Sequence, residues 1–253
     1  MTSLKQLILK YGKPDALIDH WDYNAKKMAI WGFDEIFIYD TDGCWLNGKK
    51  VLGNPIDICN NVLNQWNEAS ESTYAIGYIS YDIKNYLFSH LKFKSIKNQT
   101  LMWFGKPKLI EEYRNDNDIK EISNKGKLSI QKGLPNLDYY QEKIKTIKKY
   151  LQLGETYQIN YSNPIQYKYA QSKFELYLYL RSIAKPANGM YLNTDDIEIL
   201  SMSPEKFFEV QNNIIHAYPI KGTIKRSNNI AEDEKLKIQL KQSKKDKAEH
   251  LMI

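Results

Sequence analysis

Apolar and polar positions follow two different periods along this chain, and the changes of period mark its elements. Short runs rich in β-branched and aromatic residues predict strands at Glu35–Tyr39, Thr73–Tyr81, Leu101–Phe104, Lys127–Gln131 and Thr156–Tyr169. Further strands are predicted at Met190–Asn193, Ile197–Met202, Phe207–Val210 and Ile214–Ile220. A helical period is clearest over Leu137–Leu153, where Tyr140, Ile144, Ile147, Tyr150 and Leu151 share one face before Gly154 ends it. Helices are also expected at Ile56–Trp66, Phe174–Ile183 and Ala231–Ile253. Strands arrive in consecutive runs with short turns, without the strand–helix alternation of a parallel sheet, so the expected class is antiparallel α+β. In the last helix, Leu236, Leu240, Ala248, Leu251 and Met252 build an apolar face still running at Ile253, with no residue to cap it and no later strand to receive it.

With 253 residues the size of the core is not limiting, and no repeat or low-complexity linker divides the chain. Hydrophobic residues make up 42%, but no run approaches the ~18 apolar residues of a membrane span. The 19 Tyr, 8 Phe and 5 Trp argue against disorder, because they supply ample apolar surface to bury. Met1–Tyr11 lacks the hydrophobic region and small-residue cleavage site of a signal peptide, and the chain is expected in the cytoplasm. Cys44 and Cys59 have neither metal-ligand spacing nor the density of a disulfide scaffold and read as buried thiols. The net charge is +6, of which nine cations and five anions from Lys221 onward contribute +4. Arginine, the better fork for phosphates and bases, occurs only at positions 114, 181 and 226. The basic excess is therefore expected on a solvated helix face, with no nucleic-acid partner.

Three stretches carry candidate chemistry. Tyr218-Pro219-Ile220-Lys221-Gly222-Thr223-Ile224 sets a lysine among apolar and small residues. It reads either as a surface lysine at a strand end or as a site, with Lys221 and Thr223 on one face and Gly222 letting a ligand approach the backbone. A free lysine with a pKa of ~10.4 is neutral about once in ~2,500 molecules at pH 7, so attack requires a lowered pKa. Desolvation and like-charge repulsion from Lys225 and Arg226 would push that way. Ser203-Pro204-Glu205 returns toward Lys221 through a turn at Asn212-Asn213. A two-residue loop there pairs Glu205 with Ile220, whereas a three-residue loop pairs it with Lys221, and both registers stay open. Glu249 borders the apolar face of the last helix, either as a flanking charge or as a ligand for a hard cation such as Mg2+. His250 beside it reads as an ordinary helix residue, and neither a G-x-x-x-x-G-K-[ST] loop, an H-E-x-x-H nor a G-x-S-x-G motif occurs.

Taken in order, five motifs resemble the component I branch of aminodeoxychorismate synthases, within the chorismate-utilising family that includes anthranilate, isochorismate and salicylate synthases. They are Ile76-Gly77-Tyr78-Ile79-Ser80-Tyr81-Asp82, Gly154-Glu155-Thr156-Tyr157-Gln158-Ile159-Asn160, the pair Ser203-Pro204-Glu205-Lys206-Phe207 and Pro219-Ile220-Lys221-Gly222-Thr223, and Asp246-Lys247-Ala248-Glu249-His250-Leu251-Met252-Ile253. The resemblance spans roughly residues 70–253. Anthranilate and isochorismate synthases typically carry alanine where this chain has Lys221, so the P-I-K-G-T form resembles the aminodeoxychorismate branch.

The resemblance implies a β-sandwich of two antiparallel sheets flanked by helices, with an N-terminal region at 1–125 and the first part of a chorismate-binding catalytic region at 126–253. It implies that Lys221 attacks C2 of chorismate, that Glu205 is general acid and base, and that Gly222 and Thr223 bind substrate. It further implies that Glu249 helps bind Mg2+ and that a glutamine amidotransferase subunit, component II, supplies ammonia on the route to 4-aminobenzoate and folate. Anthranilate synthase component I and a non-catalytic module that only binds the amidotransferase are the alternatives. Two departures stand out. Lys185-Pro186-Ala187-Asn188-Gly189-Met190-Tyr191 replaces the N-P-x-P-[YF] segment that contributes to a tryptophan pocket in the family. The chain also stops before the family's D-L-x-R-N-D segment, its glycine-rich substrate motif and its further metal glutamates, so an incomplete fold is expected.

Overall fold

The computed structural model describes residues 2–19, 27–69, 73–91, 93, 99–114, 128–194, 196–220 and 222–251. The chain divides into two compact units, Met1–Lys120 with Leu180–Ile253, and Glu121–Tyr179. The boundary expected between 125 and 126 lies outside the described residues.

The first unit opens with β1 (Thr2–Ser3) and α1 (Leu4–Tyr11), whose start is fixed by a reciprocal cap between Ser3 and Gln6. Four strands follow, β2 (Ala16–Asp19), β3 (Lys27–Asp40), β4 (Gly43–Leu46) and β5 (Lys49–Val51). Asn54 caps α2 (Pro55–Glu68), and Pro55, which has no N–H to satisfy, occupies its first turn. Then come β6 (Ile76–Ile79), a 3₁₀ turn at Tyr81–Ile83, the short α3 (Lys84–Leu87) and β7 (Thr100–Arg114). The second unit holds β8 (Ser129–Lys132), α4 (Leu137–Gln152) and β9 (Gln166–Lys168). The chain returns to the first unit through α5 (Lys173–Ala184) and continues with β10 (Asn188–Asn193), β11 (Glu198–Ser203), β12 (Glu209–Gln211), β13 (Ile214–His216), α6 (Ile230–Gln242) and α7 (Lys244–Leu251).

Nine strands of the first unit form one continuous sheet built on the long antiparallel pair β3 and β7. At one end of this spine the order is β1-β7-β3-β2-β10-β11; at the other, β6 pairs with β7 while β4 and then β5 extend from β3. All pairings are antiparallel except β1 with β7. The antiparallel α+β expectation therefore holds. The two-sheet sandwich does not describe these residues, because β3 and β7 run unbroken through both halves and join them into one branched sheet. A register shift between Phe33 and Glu35, next to Gly32 at φ +69°, marks where the spine changes partners.

Two apolar clusters pack on this sheet. Phe37, Cys44, Cys59, Val62, Trp66 and Met102 join α2 to β3, β4 and β7. Ala16, Ile30, Ile76, Trp103 and Leu192 form the other. Both cysteines are buried free thiols, as their spacing indicated, and burial pushes the Cys59 thiol up to about 11.

Several predicted elements change, among them β7, foreseen only at Leu101–Phe104, and β13, which ends at His216 instead of Ile220. Of Thr156–Tyr169 only Gln166–Lys168 is strand, pairing with β8, and the glycine-headed stretch before it is irregular. The long last helix is two helices. Ser243 leaves the helical conformation at ψ 116° and its hydroxyl accepts from the Asp246 N–H, so a cap interrupts the apolar stripe between Leu240 and Ala248. Only part of β3 was foreseen, because Gly32 and Asp34 break the apolar alternation where the bulge lies. No described helix is long and apolar enough to cross a membrane.

Candidate active site

The stretch after β11 folds back on itself through a two-residue turn. Gln211 pairs with Ile214, and Asn212 and Asn213 sit at φ 50° and 62°, the pair of left-handed residues that a tight hairpin of matching twist requires. Of the two registers left open by the sequence, this is the one that sets Glu205 against Ile220. Beyond the end of the ladder, the Glu205 carboxylate accepts the Ile220 N–H at 3.0 Å. Glu205 is itself held by the Ser203 hydroxyl, which accepts from its N–H at 3.3 Å and donates to its carbonyl at 2.8 Å. Lys221 lies outside the described residues.

Gly222 takes φ +74° and sits against α7. A methyl group built there would lie 2.7 Å from Asp246 Cγ and 2.9 Å from Asp246 Oδ1, so this position needs both the backbone freedom and the missing side chain of glycine. The segment 220–222 is thereby bracketed by Glu205 at one end and Asp246 at the other. Thr223 is exposed and lies outside any helix or strand. Glu249, one turn after Asp246 on the same helix, is half-buried. Of the sequence-derived candidates, the structure thus brings Glu205 and Gly222 to one short stretch of chain and gives that stretch a contact with the helix of Glu249. Among the described residues no three His, Cys, Asp or Glu side chains converge to hold a metal ion. Glu249 alone does not make a protein cage for Mg2+, whose near-octahedral oxygen shell needs further ligands.

Two features were not legible beforehand. Arg226 does not stand as a bare cation: its guanidinium donates to the Asp233 carboxylate in a fork, Nε at 2.8 Å to Oδ1 and Nη2 at 2.7 Å to Oδ2. With the Ser227 N–H also donating at 3.0 Å, this pair holds the Asp233 carboxyl down at about 2. The like-charge repulsion expected from Arg226 is therefore largely compensated at its source. Secondly, Glu209 accepts from Lys206 Nζ at 2.6 Å and from the Tyr218 hydroxyl at 3.1 Å, tying the two strands beside Glu205. Only the cross-strand register could have revealed this, since Glu209 and Tyr218 are nine residues apart.

A family model described as chorismate binding enzyme matches residues 106–253. Among curated relatives, the chain is similar to anthranilate synthase component 1 of Saccharolobus solfataricus, at 29% identity over 228 residues, 81% of this chain and 52% of that protein. It is also similar to aminodeoxychorismate synthase component 1 of Escherichia coli, at 34% identity over 116 residues, 46% of this chain and 26% of that protein. A crystal structure of anthranilate synthase component I from Streptococcus pneumoniae shares the fold, with a TM-score of 0.69 over 90% of this chain and 60% of that one, at 15% identity. The match with the S. solfataricus protein spans about half of that relative's length.

Proposed function

The chain belongs to the chorismate binding enzyme family, and from that membership we propose that it acts as component I of an aminodeoxychorismate synthase, aminating chorismate at C4. The observation that carries the reading is a lysine at position 221 in Pro219-Ile220-Lys221-Gly222-Thr223, with the Glu205 carboxylate 3.0 Å from the amide of the residue before it.

The proposed chemistry is displacement through a covalent intermediate. Neutral Lys221 Nζ attacks C2 of chorismate as the C4–O bond breaks, and both ring double bonds shift, C1=C2 to C1=C6 and C5=C6 to C4=C5, to keep the electron count. The leaving hydroxyl needs a proton, which Glu205 supplies, and the same carboxylate takes a proton from ammonia as it adds at C4 and expels the lysine. One group serves both steps because each leaves it in the state that the other needs. Glu205 spends one oxygen on the Ile220 N–H, so its second oxygen is the one proposed to transfer the proton. Gly222 and Thr223 are proposed to line the substrate, the first by letting it approach the backbone. Mg2+ is the proposed cation, with Glu249 its one described carboxylate, and no step above runs through it. Ammonia is proposed to come from a glutamine amidotransferase subunit, in keeping with the component 1 naming of the E. coli relative.

A second reading, anthranilate synthase component I, is favoured by one observation: the S. solfataricus match covers 81% of this chain, against 46% for the E. coli protein. Incubation with chorismate, Mg2+ and ammonium, followed by product identification, separates the two. An amino group para to the carboxyl-bearing carbon is expected; an ortho amino group would establish the second reading. If no product forms, a calorimetric titration with chorismate tests whether the chain is instead a binding module.

A further inference from the structure

The β12–β13 ladder holds three residue pairs, from Glu209 opposite His216 to Gln211 opposite Ile214. Its register, continued four residues further from the turn, sets Glu205 opposite Ile220, and there the Glu205 carboxylate meets the Ile220 N–H. Between these two points the ladder has ended, and Pro219 brings no N–H with which to extend it. A two-stranded ribbon of this length is marginal in water by itself. Backbone pairing therefore does not explain why Glu205 arrives at Ile220.

One side chain spans the gap. Glu209 Oε2 accepts from Lys206, the residue after Glu205, and Glu209 Oε1 accepts from Tyr218, two residues before Ile220. The ring of His216, opposite Glu209, lies nearly parallel to that of Tyr218 at 9°, with centroids 6.4 Å apart, as neighbours two apart on one strand face permit. Lys206 first, and Tyr218 after it, hold the Glu209 carboxyl below the usual carboxylate range, so both oxygens are acceptors at neutral pH.

We propose that Glu209 is a positioning residue of the site: by bridging Lys206 and Tyr218 it fixes where Glu205 meets the backbone immediately before Lys221. The inference rests on the roles proposed above for Glu205 and Lys221. Glu209 acts through Glu205, by way of its bonds to Lys206 and Tyr218. Alanine, which keeps no side-chain oxygen, releases both partners, whereas a glutamine amide could still donate to the Tyr218 hydroxyl oxygen.

The test uses the whole 253-residue chain as wild type, Glu209→Ala, Tyr218→Phe and the double variant, with two readouts. The first is hydrogen exchange at the Ile220 amide, with the Ile214 amide beside the turn as internal reference. The second is the rate of chorismate-dependent mass gain on Lys221 as chorismate is varied. Each single variant is expected to speed exchange at Ile220 about two- to fivefold, the range for a partly exposed charged bridge, with Ile214 unchanged. The double variant is expected to add little, because both changes open the same bridge. The maximal adduct rate falls by a similar factor, while the half-saturating chorismate concentration stays within about twofold. An unchanged Ile220 amide overturns the bridge. A loosened amide with an unchanged adduct rate overturns the positioning role. Absence of any adduct in the wild type overturns the functional reading and the positioning role with it, and the amide readout still decides separately whether the bridge exists.

Discussion

Gly222 illustrates how a single position can carry two requirements. Its φ of +74° costs a residue with a side chain about 1–2 kcal/mol, and a Cβ there would also meet the Asp246 carboxylate at 2.7 Å. Gly222→Ala is expected to favour local opening of 220–227, seen as roughly five- to thirtyfold faster proteolytic cleavage in that stretch. Adding Asp246→Ala removes the Cγ and Oδ1 contacts but leaves the Cβ at 3.1 Å and the backbone strain, so recovery should be partial; full recovery would show that φ is unimportant. Nearby, the Asp233 carboxyl is held at about 2 instead of 3.8 by Arg226 first and the Ser227 N–H second. A depressed carboxyl stabilises the folded arrangement above its unfolded pKa and loses that contribution as pH falls through the folded one. The stability contributed by the Arg226–Asp233 fork should therefore be full at pH 5 and fall away from about pH 4 downward through 2, and a carbon-13 titration of the Asp233 carboxyl should show a midpoint near 2. A midpoint near 3.8 would mean that the fork does not form in solution.

Among the elements, α5 is tied to the sheet by a buried charge. Arg181 Nη1 donates to both Asp19 oxygens at 2.8 Å and to the Tyr113 hydroxyl at 3.2 Å, and that hydroxyl donates to Asp19 Oδ1 at 2.6 Å. Burial pushes the Tyr113 hydroxyl well above the usual tyrosine range, and the Asp19 carboxylate adds to the shift. Breaking such a pair from one side leaves a buried charge with lost compensation, so Arg181→Met is expected to cost about 3–5 kcal/mol in urea unfolding. Asp19→Leu combined with Arg181→Met should cost less than the sum of the single changes, because the second change removes the stranded charge. Nothing in local sequence pattern announces this network, since its members are 162 and 68 residues apart. The tight turn at Asn212-Asn213, by contrast, was legible because its chemistry is local: asparagine tolerates the left-handed conformation. The helix at Leu137–Gln152 was legible for the same reason, from a one-face apolar period and the glycine that follows it, and its Asn136 cap is a finding of the structure. The split at Ser243 was missed because the apolar period of the two helices reads as one, and only the competing hydroxyl cap separates them. The pairing of β3 with β7 needed contacts some 60–85 residues apart, which no periodicity encodes.

Burial across the whole molecule is uneven. All buried positions among the described residues fall at or before Tyr113 or between Phe174 and Thr194. Leu137, Tyr140, Tyr150 and Tyr157 of the second unit are exposed, as are Phe207, Ile215 and Leu251 of the first. This apolar surface is expected to bind a reporter dye such as anilinonaphthalene sulfonate and to drive concentration-dependent association, measured by sedimentation; a dye-silent monomer at all concentrations would contradict it. Mg2+ is expected to bind weakly without chorismate, because the described residues offer no converging donors, and tight stoichiometric binding by calorimetry would show otherwise.

The central claim is that Lys221 is a covalent nucleophile, and mass spectrometry tests it most directly. The chain is incubated with chorismate and Mg2+ but without any ammonia source, then digested and mapped. The expected result is an adduct on Lys221 with the mass of chorismate less one water, formed as the Nζ–C2 bond replaces the C4–O bond, and absent from Lys221→Ala. Undiminished formation of aminodeoxychorismate by Lys221→Ala, with ammonia supplied, would contradict it.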